Sequence, residues 1–94
     1  MIVERRVHPI KPGQLQIATD LILAEDWGIA FQLYHPMSGR MEVIMVDCTW
    51  EGVDAAERYW AAWGAKPNSP AWFAKWLEVA ESGWTREFFQ LVQQ

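Results

Sequence analysis

The chain has 94 residues, of which 51% are apolar and 21% charged, with a formal net charge of −4. This is the profile of one globular domain spanning residues 1–94. At this size only about two-thirds of the unfolded surface is buried, so a partner adds much to stability. The acidic balance argues against nucleic acid, which needs clustered Lys and Arg, and only Arg5 and Arg6 are adjacent among the cations near the N-terminus. No apolar run approaches the roughly 18 residues that span a bilayer, and Met1 to Arg5 reads as a strand rather than a signal segment; neither membrane nor export is expected, and the location is expected to be cytoplasmic. The single Cys48 excludes an internal disulfide and a thiolate metal cluster.

Residues 2–8, Ile-Val-Glu-Arg-Arg-Val-His, mix β-branched and charged side chains over one strand length, and Pro9, Pro12 and Gly13 close it. Leu15, Ala18, Leu21 and Ile22 recur at helical spacing and predict an amphipathic helix over 13–26, ending near Trp27-Gly28. Residues 29–35 return to strand character. Pro36-Met37-Ser38-Gly39 is turn chemistry leading to a strand over 41–50, so these two strands form a hairpin.

From Val53 the pattern is helical to Ala65, with Val53, Ala56, Trp60 and Trp63 on one face, until Lys66-Pro67-Asn68 breaks it. Ser69 and Pro70 predict the N-cap and first residue of a third helix running to Ser82, and residues 84–92 read as a last strand. The order strand, helix, strand, strand, helix, helix, strand is an α+β, ferredoxin-like plan, with a four-stranded antiparallel sheet and helices on one face. Alternation places apolar sets on three strands: Val3 and Val7; Ile44, Val46 and Cys48; Phe89 and Leu91. The opposite sets are mixed: Ile2, Glu4, Arg6 and His8; Val43, Met45, Asp47 and Thr49; Arg86, Phe88 and Gln90. One layer of helices covers one face, so a second copy of the sheet is expected to cover the other, giving a homodimer.

An opening strand with Glu4 and Arg6 two apart is followed by Lys11-Pro12-Gly13-Gln14-Leu15. Gly39 lies in the hairpin, Trp50 ends the third strand, and Pro70-Ala71-Trp72 to Trp76 opens the last helix. In these features the chain resembles the NIPSNAP-like domains of the dimeric α+β barrel superfamily, departing at His8, where an aromatic is commoner, and in its tryptophan-rich helices. The resemblance implies two sheets facing each other as a barrel, with a cleft in each subunit between sheet and helices. Val3, Val7, Ile44, Val46, Phe89 and Leu91 are then expected inside the barrel, with Glu4, Arg6, His8 and Arg86 facing the helices.

Seven tryptophans in a chain this short is the strongest compositional signal. Each carries a large apolar surface and an N–H that seeks a partner. Trp60/Trp63 and Trp72/Trp76 are each one helical turn apart and form stripes, which either fill the core or roof a cleft for a flat, largely apolar ligand with an anionic or carbonyl group. Glu4, Arg6 and His8 share one strand face, and Arg86 lies on the strand expected beside it. The four are either an acid/base and anion-binding set or a cross-strand row of ion pairs. Candidate ligand-binding residues are therefore Glu4, Arg6, His8, Trp60, Trp63, Trp76 and Arg86.

His8 and His35 lack a third residue spaced to complete a metal site, so no metal is expected. The residues name no cofactor and no catalytic group. Three readings follow: a binding protein for a small aromatic ligand, an enzyme of the barrel superfamily, or a dimer without a ligand. The enzyme would be a monooxygenase acting on a flat aromatic or haem-like substrate, or an isomerase using His8 or Glu4 as base. The haem-degrading and antibiotic-biosynthesis monooxygenases, similar in plan, use an Asn, a Trp and often a later His. Here the only Asn is Asn68 and both histidines precede residue 36, so that site does not carry over.

Overall fold

The computed structural model describes residues 1–93. In chain order the elements are β1 (Ile2–Pro9), α1 (Leu15–Ala24), β2 (Gln32–Tyr34), β3 (Val43–Trp50), α2 (Val53–Gly64), α3 (Ser69–Val79) and β4 (Thr85–Gln90). The strands form one antiparallel sheet in the order β2-β3-β1-β4. This is the expected α+β, ferredoxin-like plan, and it puts β1, which carries Glu4, Arg6 and His8, in the interior of the sheet. No helix among the described residues is long and apolar enough to cross a membrane.

The core lies between the sheet and the helices. Ile10, Ala18, Ile22, Ile44, Trp76 and Val79 are buried together, and Leu33, Val46 and Trp72 pack against them. Burial of such side chains stabilises the layer by about 1.5–3 kcal/mol each.

Register decides which strand residues meet the helices, because residues directly opposite one another share a face. Glu4, Arg6 and His8 stand opposite Cys48, Val46 and Ile44, and on the other side Glu4 and Arg6 stand opposite Phe88 and Arg86. The expectation for β1 and β4 is therefore met, whereas that for β3 is inverted. Ile44 and Cys48 are buried under the helices, while Val43, Met45, Asp47 and Thr49 share the open face with Val3, Val7 and Phe89. Both sets on β3 are apolar enough to face either way, so only the pairing with β1 selects one.

Several boundaries differ from the periodicity reading. β2 shrinks from 29–35 to three residues. Gly28 adopts φ +70 and turns the chain, and Ile29 and Phe31 pack toward the tryptophans instead of extending the ladder. α1 runs over 15–24 rather than 13–26, ending where Glu25 becomes extended. α3 stops at Val79 instead of Ser82 because Ala80 is extended and bridges Ile10, with Lys11 N–H donating to Val79 O and Glu81 N–H to Pro9 O. Ser69 is not the N-cap; that position belongs to Asn68, with Pro70 in the first turn. The Ser69 hydroxyl instead donates to Gly64 O (2.8 Å) and Lys66 O (3.0 Å), tying the start of α3 to the end of α2. β4 covers 85–90 rather than 84–92, which leaves Trp84 outside the ladder.

Candidate ligand-binding site

Strand β1 presents Glu4, Arg6 and His8 to the helix layer at two-residue steps, and each ends in a different environment. Glu4 is only 1% exposed, and its carboxylate accepts four hydrogen bonds. Oε1 receives the indole N–H groups of Trp50 and Trp60, both at 2.9 Å. Oε2 receives Nε of Arg6 at 3.1 Å and Nε of Arg86 at 2.5 Å. A carboxylate has about four acceptor sites, so this one is filled. Burial by itself raises the Glu4 pKa, but the bonds from Trp60 and Arg86, the charge of Arg6 and the bond from Trp50 outweigh it and hold the carboxyl below its ordinary value. A base so occupied has no lone pair left for a substrate proton.

Arg86 completes the polar hub by pairing its Nη1 with Glu57 of α2 at 2.8 Å, which links β4 to the helix layer. Arg6 faces the other way. Its guanidinium lies 4.0 Å from the centre of the Trp60 ring and 5.6 Å from that of Trp84, in cation–π contact with the nearer ring. Only its Nε is engaged, and its two outer nitrogens donate to no described residue. Burial pulls its pKa below the ordinary arginine value, against the attraction of Glu4, but a guanidinium stays charged under all ordinary conditions.

His8 sits between two indoles. The Trp76 ring meets it edge-on at 5.3 Å, and Trp84 stacks on it at 5.7 Å. Burial, helped by the Arg6 charge, lowers its pKa to about 4, so the imidazole is neutral at pH 7. The freedom of Trp84 to leave the strand is what allows this stack.

All seven tryptophans belong to one aromatic network. Trp50 contacts Tyr59, Tyr59 contacts Trp60, and Trp60 contacts both Trp27 and Trp63. Trp27 and Trp63 contact Trp72, which stacks on Trp76 at 5.4 Å, and Trp76 leads through His8 to Trp84. Most of the indole N–H groups inside this network are satisfied: Trp27 donates to Ile22 O at 2.8 Å, Trp72 to Leu21 O at 3.2 Å, and Trp50 and Trp60 to Glu4. Trp63, Trp76 and Trp84 donate to no described residue, and of the three only the Trp63 N–H is itself fully buried. The Trp63 side chain is 4% exposed. Leaving a buried donor unpaired costs about 1–3 kcal/mol.

These rings enclose a cavity of about 100 Å³, partly open to solvent. Of the seven residues expected at a site, Arg6, His8, Trp60, Trp63 and Trp76 line it, whereas Glu4 and Arg86 stand behind the wall as its support. Trp72, read from the sequence as part of a helical stripe but not placed among the candidate residues, also lines it, as do Trp27, Phe73, Cys48, Ile29 and Phe31, which were not expected there. The available signal for Trp27 and its neighbours was the apolar run on both sides of Gly28, which reads equally well as helix end and strand. The segment is held against the cavity by the Tyr59 hydroxyl donating to Trp27 O and by Gly28 N–H donating to Asp26.

Cys48 is 4% exposed, and burial pushes its thiol up to about 11, with the Glu4 charge adding to the rise. It is a protonated apolar lining group at neutral pH, not a nucleophile. His35 is elsewhere, within hydrogen-bond distance of the Thr19 hydroxyl at 2.9 Å. Among the described residues no three His, Cys, Asp or Glu side chains are grouped to hold a metal.

The fold has solved counterparts. An uncharacterised NIPSNAP domain protein from Burkholderia xenovorans superposes with a TM-score of 0.86 at 14% identity, covering 98% of this chain and 95% of that one. The fold is that of the NIPSNAP domains. A NIPSNAP family protein from Agrobacterium tumefaciens superposes with a TM-score of 0.84 at 16% identity, over 95% and 90% of the two chains. An antibiotic biosynthesis monooxygenase lies further off, with a TM-score of 0.69 at 13% identity, over 99% and 100%. NIPSNAP neighbours of this chain are themselves uncharacterised or of unknown function. No family model and no curated protein matches the sequence.

Proposed function

We propose that the protein binds a small, flat, largely apolar molecule in the cleft between sheet and helices, without transforming it. The observation that carries this reading is the cavity itself: indole walls, with the guanidinium of Arg6 and the neutral imidazole of His8 as its charged and polar groups from β1. Apolar pockets with a few convergent polar groups are the usual form of a small-molecule site. A volume of about 100 Å³ suits a single ring and falls far short of a haem.

Acid–base chemistry finds little support in these residues. Glu4 is saturated, His8 is a weak base with a pKa of about 4, and the Cys48 thiol is held protonated at neutral pH. Binding therefore accounts for the site better than the isomerase or monooxygenase alternative.

The functional unit in this reading is a homodimer built through the open sheet face, as the dimeric α+β barrel architecture implies. That face carries Val3, Val7, Met45 and the 43% exposed Phe89 around the Arg5–Asp47 pair. The cavity is tested by titrating a panel of monocyclic aromatic compounds while following tryptophan fluorescence. A saturable change with at least one member is expected; indifference to all of them would leave the aromatic network as packing alone.

A further inference from the structure

We propose that the ligand is a monocyclic aromatic carboxylate, held by Arg6 and His8. This deepens the small-molecule reading above and rests on it. The polar end of the cavity decides the class of ligand.

That end is built on Arg6. Its Nε is committed to Glu4, and stacking on Trp60 at 4.0 Å fixes the plane of the guanidinium, so its outer nitrogens are presented as a fork with no partner among the described residues. A planar fork of N–H donors matches a carboxylate in two parallel bonds. The neutral His8 beside it adds one more donor, and Glu4 behind Arg6 is saturated and does not compete for the ligand's counter-charge. The 21% exposure of the Arg6 side chain places this end toward the mouth, where a carboxylate keeps part of its hydration.

The rest of the wall is apolar. The Trp63 N–H is buried away from the cavity surface, and Trp27 and Trp72 supply faces and edges for a single ring.

Calorimetric titration of the intact protein with benzoate and its neutral isostere benzamide separates charge from shape. Benzoate is expected to bind about tenfold more tightly than benzamide, a difference of about 1.4 kcal/mol, and Arg6→Gln should abolish that preference. Nuclear magnetic resonance of His8 should show its pKa rising when the carboxylate binds, because the anion offsets the Arg6 charge, and staying put with the amide. Benzamide binding as tightly as benzoate, or a preference that survives Arg6→Gln, would overturn the carboxylate assignment while leaving an aromatic-binding cavity in place. Binding of neither compound would instead remove the small-molecule reading on which the proposal stands.

Discussion

Glu4 is the residue on which the interior of this sheet depends. Two indoles and two guanidiniums converge on it, and replacing the charge while keeping the shape separates packing from electrostatics. Glu4→Gln leaves Arg6 without its counter-charge and Arg86 with Glu57 alone, and is expected to destabilise by about 3–5 kcal/mol, measured by urea denaturation. Because its folded pKa is depressed, the stabilisation from Glu4 is complete above the ordinary carboxylate pKa and is lost as pH falls through the folded value. His8 acts in a separate window. Its pKa falls from 6.5 to about 4 on folding, so the unfolded chain binds a proton that the folded chain refuses. Stability should therefore decline as pH drops from about 6.5 to about 4, by up to about 3 kcal/mol. In His8→Phe, which keeps the contacts with Trp76 and Trp84, denaturation midpoints compared at pH 4.5 and 7.5 should lose that part of the dependence.

At the scale of elements, the connection between α1 and β2 shows what periodicity misses. Residues 29–31 have strand composition, yet Gly28 turns them into the cavity wall, and the short β2 begins only at Gln32. A Cβ at Gly28 meets nothing within 4 Å, so Gly28→Ala would pay only for its left-handed backbone, about 1 kcal/mol. Gly64, at the end of α2, is equally open but has no positive φ, and Gly64→Ala is expected to stabilise by about 0.5 kcal/mol. Thermal unfolding of the two variants should therefore shift in opposite directions. The helices carrying Trp60, Trp63, Trp72 and Trp76 were legible because aromatic stripes at helical spacing mark a buried face. Ser69 was misplaced because a serine before a proline resembles a cap, whereas here its hydroxyl is drawn to the carbonyls ending the previous helix.

For the whole molecule the open sheet face is decisive. It is a mixture of apolar side chains and one forked ion pair, Arg5 to Asp47 at 2.9 Å through both Nε and Nη2. Asp47 is 9% exposed and Arg5 40%, so the pair is anchored on β3 and reaches over the Phe89 ring. A second copy laid on this face buries Val3, Val7, Met45 and Phe89 from both partners. Light scattering coupled to size exclusion is expected to give the dimer mass at micromolar concentration, and Phe89→Asp should shift it to the monomer, while a monomeric parent protein would refute the barrel.

Local chemistry alone determined the element order, the shared face of Glu4, Arg6 and His8, and the concentration of tryptophan on the last two helices, because two-residue and helical periods are properties of neighbours along the chain. The tertiary structure decided the rest. Which face of β3 meets the helices depends on its register with β1, set by contacts more than 30 residues away in sequence. That Glu4 supports the cavity instead of lining it depends on four donors arriving from Arg6, Trp50, Trp60 and Arg86. That Trp63 is left with a free N–H, while Trp27 and Trp72 spend theirs on carbonyls of α1, follows from where the rings come to rest. Side-chain type states what a residue can donate or accept, but only the packed chain settles which of those capacities remain unspent.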